Sequence, residues 1–167
     1  MEVKITRDGH LRKVLAQLDN VNKSTVSVGV HEDEGEIAKI AKVHEFGVSI
    51  NVSPKMRVYL HSQGLHLKDT TKTIKIPERS FIRAGFHENR KKFIKKAKTM
   101  FVKTLEDRGN LEVVVGRLGN ELAGDLQDYA VDLRQPELHP FTIKNKGSDN
   151  PLIDTGRLVE AITSRVE

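Results

Sequence analysis

SFIRAGFHENRKKFIKKAKTMFVKTLEDRGNLEVVVGRLGNELAGDLQDYAVDL, Ser80 to Leu133, decides the fold. Ile82, Phe86, Phe93, Ala97, Met100, Phe101 and Leu105 recur at helical spacing. Lys91, Lys92, Lys95, Lys96, Lys98 and Lys103 fall on the opposite face, while Arg90 lies within the apolar stripe. Ser80 is placed to cap this helix, and Phe81 and Phe86 to anchor it in a core. Gly109 is placed to end it, and Asn110 to cap the next. In the second helix Leu111, Val115, Leu118, Leu122, Leu126, Tyr129 and Leu133 share a face, flanked by Glu121, Asp125, Asp128 and Asp132. The short break predicts an antiparallel helical hairpin. The small residues of GRLGNELAG (116–124) suit the approach of another helix.

Upstream, VKI (3–5) suggests a short opening strand, and Leu11, Val14, Leu15 and Leu18 an amphipathic helix. STVSVGV (24–30) alternates as a strand does. GEIAKIAKVHEFG puts Ile37, Ile40, Ala41 and His44 on one helical face, with Gly47 ending the helix in a left-handed conformation. Residues 48–76 form an excursion: extended SINVSP, two helical turns in KMRVYLHSQG closed by Gly64, then the strand TKTIKI ended by Pro77. HPFTIKNKG (139–147) reads as a short strand and turn, and DTGRLVEAITSRVE as a capped helix of about two turns that ends in a strand. The expected architecture is α+β, one domain over residues 1–167: a small, mostly antiparallel sheet packed by the long hairpin, with an arm at 48–76.

Several chemistries are excluded outright. A chain of 167 residues with no cysteine has no disulfide, thiolate nucleophile or Cys-based zinc site. No apolar run reaches the roughly 20 residues a bilayer demands, so no membrane partner is expected. Asp154-Thr155-Gly156 matches the aspartic-protease triplet, but that chemistry needs a second carboxylate in a β-rich frame. A cap at a helix N-terminus is the better account of Asp154. His-Glu in VHEFG is followed at position 48 by Val where a zinc protease needs His. His61 and His66, five apart across Gly64, suit neither a helix face nor a strand face. No phosphate-cradling glycine loop and no nucleophile–base arrangement stands out. The expectation is a protein without catalytic residues, metal or cofactor.

Charge says more. The chain carries net +5. From Ile82 to Leu105 eight Lys/Arg face only Glu88, whereas Glu106 to Leu138 holds eight Asp/Glu against three Arg. The lysine row can face phosphates, be solvated, or pair with the acidic flank of the next helix within the chain or across a subunit boundary. Aromatic side chains are scarce on that polar face, which favours the last two.

Taken in order, VSVGV, IAKVHEFG, IPERSFIRAGF, LGNEL and HPFTIKNKGSDNPLIDTGRLVEAITSRV resemble the tail-completion proteins of tailed bacteriophages. These are neck proteins also described as virion morphogenesis or tail-component proteins. The resemblance runs from about Val26 to Val166. It is strongest in Ile76-Pro77-Glu78-Arg79-Ser80-Phe81 and in the terminal Asp154-Thr155-Gly156-Arg157-Leu158. It implies a structural virion part at the head–tail junction, assembled in the host bacterial cytoplasm. Such a part forms a ring, a hexamer favoured over a dodecamer. The ring joins connector or head-completion proteins to tail terminator or tail tube proteins around a DNA channel. Tail terminator, head-completion protein and basic nucleic-acid-binding module are the alternatives. Against that family the segment NVSPKMRVYLHSQGLHLKDTTKT (51–73) looks longer than the shortest members have. Arg79 is then expected to grip a carboxylate bidentately, from a neighbouring subunit or the chain's own end, and Arg157 to project from the terminal helix.

Overall fold

The computed structural model describes residues 9–167, save the side chain of His10, so the expected opening strand at 3–5 lies outside the described residues. The order is α1 (Gly9–Lys23), β1 (Val26–Val30), a 3-10 turn (Glu32–Glu34), α2 (Glu36–Phe46), β2 (Val48–Asn51), α3 (Pro54–Ser62) and β3 (Thr73–Ile76). Then come α4 (Arg83–Glu106), α5 (Leu111–Asp132), α6 (Pro140–Lys146), α7 (Arg157–Glu160) and β4 (Ile162–Val166). The fold is α+β. Its strands form two separate antiparallel pairs, β1 with β4 and β2 with β3.

α5 is the axis. Leu111, Val114, Val115, Leu118, Leu122, Ala123, Leu126 and Ala130 are all buried, a wider arc than one stripe, because α4 lies on one side and the β1–β4 ladder on another. Ion pairs Lys92–Asp125 and Lys96–Glu121 join residues in reverse order, which fixes α4 and α5 as antiparallel. Gly119 serves close approach of strands, not of a helix: a Cβ there would stand 2.9 Å from Val26 Cγ1 and 3.0 Å from Ser164 Cβ. Phe81, Leu126 and Ile162 centre the core, joined by Ile37, Leu152 and Leu158.

Several local expectations need correcting. Phe86 is 39% exposed and does not anchor α4; among the residues of that helix Gly85 alone is buried. The apolar stripe of α1 lies open, with Leu11 58%, Leu15 57% and Leu18 42% exposed, and Ile40 of α2 is also exposed. Residues 140–146 are helical, not a strand. Pro140 occupies the first turn, His139 Nδ1 accepts the Phe141 N–H, and left-handed Gly147 closes the helix. α7 is a single turn, shorter than expected, before β4. Asn110 caps α5 through the Glu112 N–H, as expected. The left-handed residue after α4, however, is Arg108 (φ 53), not Gly109. Gly109 N–H reaches Thr104 O and Arg108 N–H reaches Leu105 O, the paired bonds of a Schellman ending.

The arm follows the sequence reading. Ser53 Oγ accepts the Met56 N–H, Pro54 fills the first helical turn, and Gly64 (φ 88) ends α3 before β3 returns alongside β2. Arg57 holds the return loop by donating to the carbonyls of Leu67, Lys68 and Thr71.

Candidate functional site

The two strongest motifs meet around the C-terminal end of α2. Ile37, Ala41 and Glu45 recur every four residues, so Glu45 falls on the buried side and is 6% exposed. Its carboxylate accepts from Ser80 Oγ (2.7 Å), the backbone N–H groups of Phe81 (2.8 Å), Ile82 (2.9 Å) and Arg83 (3.0 Å), and Arg83 Nε (3.0 Å). These are the amides that a helix start leaves without partners, and the negative charge sits at the positive end of the α4 dipole. Burial pushes the Glu45 carboxyl up, but the bonds from Ile82, Ser80 and Arg83 together outweigh it and hold it below the usual carboxylate range. Ser80 is therefore not the cap residue. Ile82 occupies that position without a capping side chain, and a distant glutamate does the work. Ser80 Oγ still takes the Ala84 N–H at 3.3 Å.

Arg83 completes the clamp. Its guanidinium donates to Glu45 O at 2.9 Å and Glu78 Oε1 at 2.7 Å, and stands 4.6 Å over the Phe46 ring. Gly47 makes the approach possible. Its φ is 66°, and a Cβ there would lie 2.8 Å from Glu78 N and 3.0 Å from Ile76 O. Val-His-Glu-Phe-Gly and Ile-Pro-Glu-Arg-Ser-Phe are thus two halves of one joint.

Arg79 departs from expectation. It is 3% exposed and binds no carboxylate: Nε donates to Pro136 O at 2.7 Å and Nη2 to Glu137 O at 2.9 Å, while its own N–H reaches His44 O at 2.7 Å. Burial lowers its pKa, yet a guanidinium stays charged, so the two carbonyl dipoles solvate it. The arginine fork pins the 133–139 connection to α2. Beside it, burial lowers the His44 imidazole to about 4, with help from the charges of Arg79 and Lys146. His44 Nδ1 is buried without a hydrogen-bond partner among the described residues.

The terminal motif lies on the other side of His44. Asp154 and Thr155 are exposed, and Asp154 does not cap α7; Gly156, with φ 84, holds the cap position without a side-chain bond. Asn150 supplies the fixed geometry instead. Its Oδ1 accepts from Leu152 N (3.0 Å) and Ile153 N (3.1 Å), and its Nδ2 donates to Val131 O (2.9 Å). Lys146 Nζ closes the turn on Asn150 O at 2.6 Å. Leu158 is buried in the same core cluster as Phe81, and Arg157 is exposed, as expected. A cleft of about 390 Å³ lined by Ile37, His44, Lys146, Asp154 and Arg157 separates this loop from α2.

The lysine row divides. Lys92 pairs with Asp125 and Lys96 with Glu121, each at 2.8 Å, so both join α4 to α5 within the chain. The second pair lacks hydrogen-bond angles, since Glu121 Oε2 is buried without a hydrogen-bond partner. The Asp125 carboxylate raises the Lys92 pKa. Arg90, Lys91, Lys95, Lys98, Asp128 and Asp132 make no salt bridge among the described residues.

His61 and His66 come together despite their spacing, because the turn at Gly64 folds the chain back. Their Nδ1 atoms are 2.7 Å apart. Among the described residues no group of three or more metal-ligating side chains gathers. No helix there is long and apolar enough to cross a membrane. No protein-family model, curated protein or solved structure matches the chain. The role of Glu45 was missed from sequence. Its signal was an acid in register with Ile37 and Ala41.

Proposed function

We propose that this chain is a structural virion subunit of the bacteriophage neck, a tail-completion protein. In this reading it acts by fitting against copies of itself and against flanking connector and tail components, with no bond made or broken. The observation that carries the reading is the open apolar surface: Leu11, Leu15 and Leu18 on α1 and Ile94 and Val102 on α4 stay exposed in the single chain. Exposed large apolar side chains clustered along a helix face mark candidate interaction sites. The ordered motifs that resemble tail-completion proteins point the same way, and the α2–α4 joint gives the rigidity a closed ring demands, since angular errors accumulate around it. A hexamer is the favoured ring, with a dodecamer, a tail terminator or a head-completion role as the neighbouring alternatives.

The test is assembly. Light scattering and negative-stain images of the full chain are expected to reveal closed rings. Labelling it in intact particles is expected to place it between head and tail. Persistent monomers, or a location away from a virion, overturn the reading. Charge reversal at Lys95 is expected to weaken the ring in a salt-sensitive way.

A second reading has its own observation. Lys91, Lys95 and Lys98 line up at i, i+4 and i+7 without salt bridges among the described residues. In the channel of a ring they would lie near DNA. Titration with DNA at two salt concentrations separates the two, because phosphate contacts give a steep salt slope.

A further inference from the structure

The β1–β4 ladder is open along one side. Thr25 and Glu167 exchange both backbone bonds, at 2.7 and 2.8 Å. The register then runs unbroken from Val26↔Val166 to Val30↔Ile162. Bonded pairs in an antiparallel ladder recur every second residue, so Ser27 and Gly29 face β4 with their N–H and C=O groups. Val26, Val28 and Val30 turn theirs outward, and no other hydrogen bond reaches them among the described residues. The outer edge of β4 differs, because Gln127 Nε2 covers Ile162 O at 2.9 Å.

That edge borders a trough rather than a flat surface. At one end a hollow of about 240 Å³ is lined by Ala38, Phe46 and Ile82. At the other a groove of about 400 Å³ is lined by Phe86, Phe93 and Phe101. Val28 lines both. Backbone donors and acceptors beside apolar walls are costly without partners. A helix has already spent its own backbone groups, whereas an extended strand brings a matching row.

We infer that the outer edge of β1 seats a strand of the β2–β3 arm from a second copy of this chain. The inference rests on the self-assembly reading above and names the surface it uses. The arm has open edges of its own. Val52 N–H reaches Lys72 O at 2.9 Å, which leaves Ser49 and Asn51 of β2, and Thr73 and Lys75 of β3, facing outward. Two strands alone make a marginal sheet, so each pair gains by joining the other. Charge selects the match. Beyond Val30, residues 31–36 carry Glu32, Asp33, Glu34 and Glu36 with no Lys or Arg. Lys42 pairs with Glu32 and Arg165 with Asp33, so Glu34 and Glu36 are the acids without a salt bridge among the described residues. Residues 52–75 carry Lys55, Arg57, Lys68, Lys72 and Lys75 against Asp69, a net of 5 − 1 = +4. A basic arm laid along β1 ends against an acidic turn. Slot and arm are different surfaces, so the contact is head-to-tail and repeats until the rotation closes.

The experiment is hydrogen exchange on the full chain across its association range, together with Val28→Pro. On assembly the outward amides of Val26, Val28 and Val30 and those of the docked arm strand are expected to slow together, by on the order of ten- to a hundredfold. Val28→Pro removes an outward N–H and is expected to dissolve the assembly; Val28 also packs against the core, so the monomer is expected to melt lower than the parent. Should that variant fail to fold, Lys72→Glu with Lys75→Glu decides, since both side chains are exposed; assembly is then expected to weaken, most at low salt. Assemblies in which the Val26, Val28 and Val30 amides exchange as in the monomer overturn the inference and leave the ring reading intact. So does protection of 26–30 shared with α1 instead of the arm, which assigns the slot to another helix or strand. A chain monomeric at every concentration sinks both.

Discussion

The joint between α2 and α4 and the surface formed by α1 and the outer half of α4 are built on opposite terms. In the joint a buried carboxylate receives five donors and a buried guanidinium two carbonyls, and Gly47 lets the backbones touch. On α1 the leucines lie open, and on α4 four of the six lysines make no salt bridge among the described residues. The first region is complete within one chain; the second is left open by it, and on the assembly reading proposed above another copy would complete it.

Substitutions can break that division. The largest effect is expected from Glu45→Ala, which strands the first amides of α4 and the Arg83 charge; removing one side of such a buried network costs about 3–5 kcal/mol. Urea unfolding should register it as a lower midpoint at unchanged slope. Arg79→Ala comes next, at about 2–4 kcal/mol, since two carbonyls lose their donor inside the fold. Arg79→Lys should recover little, because an ammonium cannot fork.

Acid should reach the joint before it reaches the open surface. The folded pKa of His44, about 4, lies below its ordinary 6.5, so the unfolded chain binds more protons between those values. Stability is therefore full above about pH 6.5 and falls as pH drops toward 4, by on the order of 2 kcal/mol after discounting for partial exposure. His44→Gln should flatten that slope in unfolding curves taken between pH 7 and 4.5. Glu45, whose folded pKa is depressed, gives its contribution up at lower pH, as the carboxylate itself protonates.

The open side should behave in reverse. Leu15→Ala is expected to change monomer stability by under about 0.5 kcal/mol, yet to reduce association measured by sedimentation. A monomer that loses several kcal/mol would place α1 in the core after all. Smallest and opposite in sign, Arg108→Gly should stabilise by roughly 0.5–1 kcal/mol, because it relieves a left-handed arginine at the end of α4. Thermal unfolding can detect it.

Periodicity made the hairpin, α2, the arm and the β1 strand legible, since each has a face that repeats at 3.6 or 2 residues. It does not tell whether a face is covered within the chain: α1 is the amphipathic helix expected, with its stripe left open, and Phe86 is exposed where an anchor was expected. The segment at 140–146 misled because Thr, Ile and Phe favour strands while Pro140 and Gly147, read together, frame a helix turn by turn. The site was half legible. Both motifs were found, but the partners of Arg79 and the cap of α4 come from residues 34 or more positions away, and no local pattern encodes them. Asp154 is expected to cap α7, but Gly156 holds that position without a side-chain bond, and Asn150 fixes the turn before it.

One consequence concerns synthesis. Val30 pairs with Ile162, a span of 162 − 30 = 132 residues, and Gly119 of the central helix is sheathed by both strands of that pair. Such a long-range closure slows folding. Until residue 166 has left the ribosome, α5 lacks its β4 flank and has only α4 and the earlier α1 and β1 to pack against.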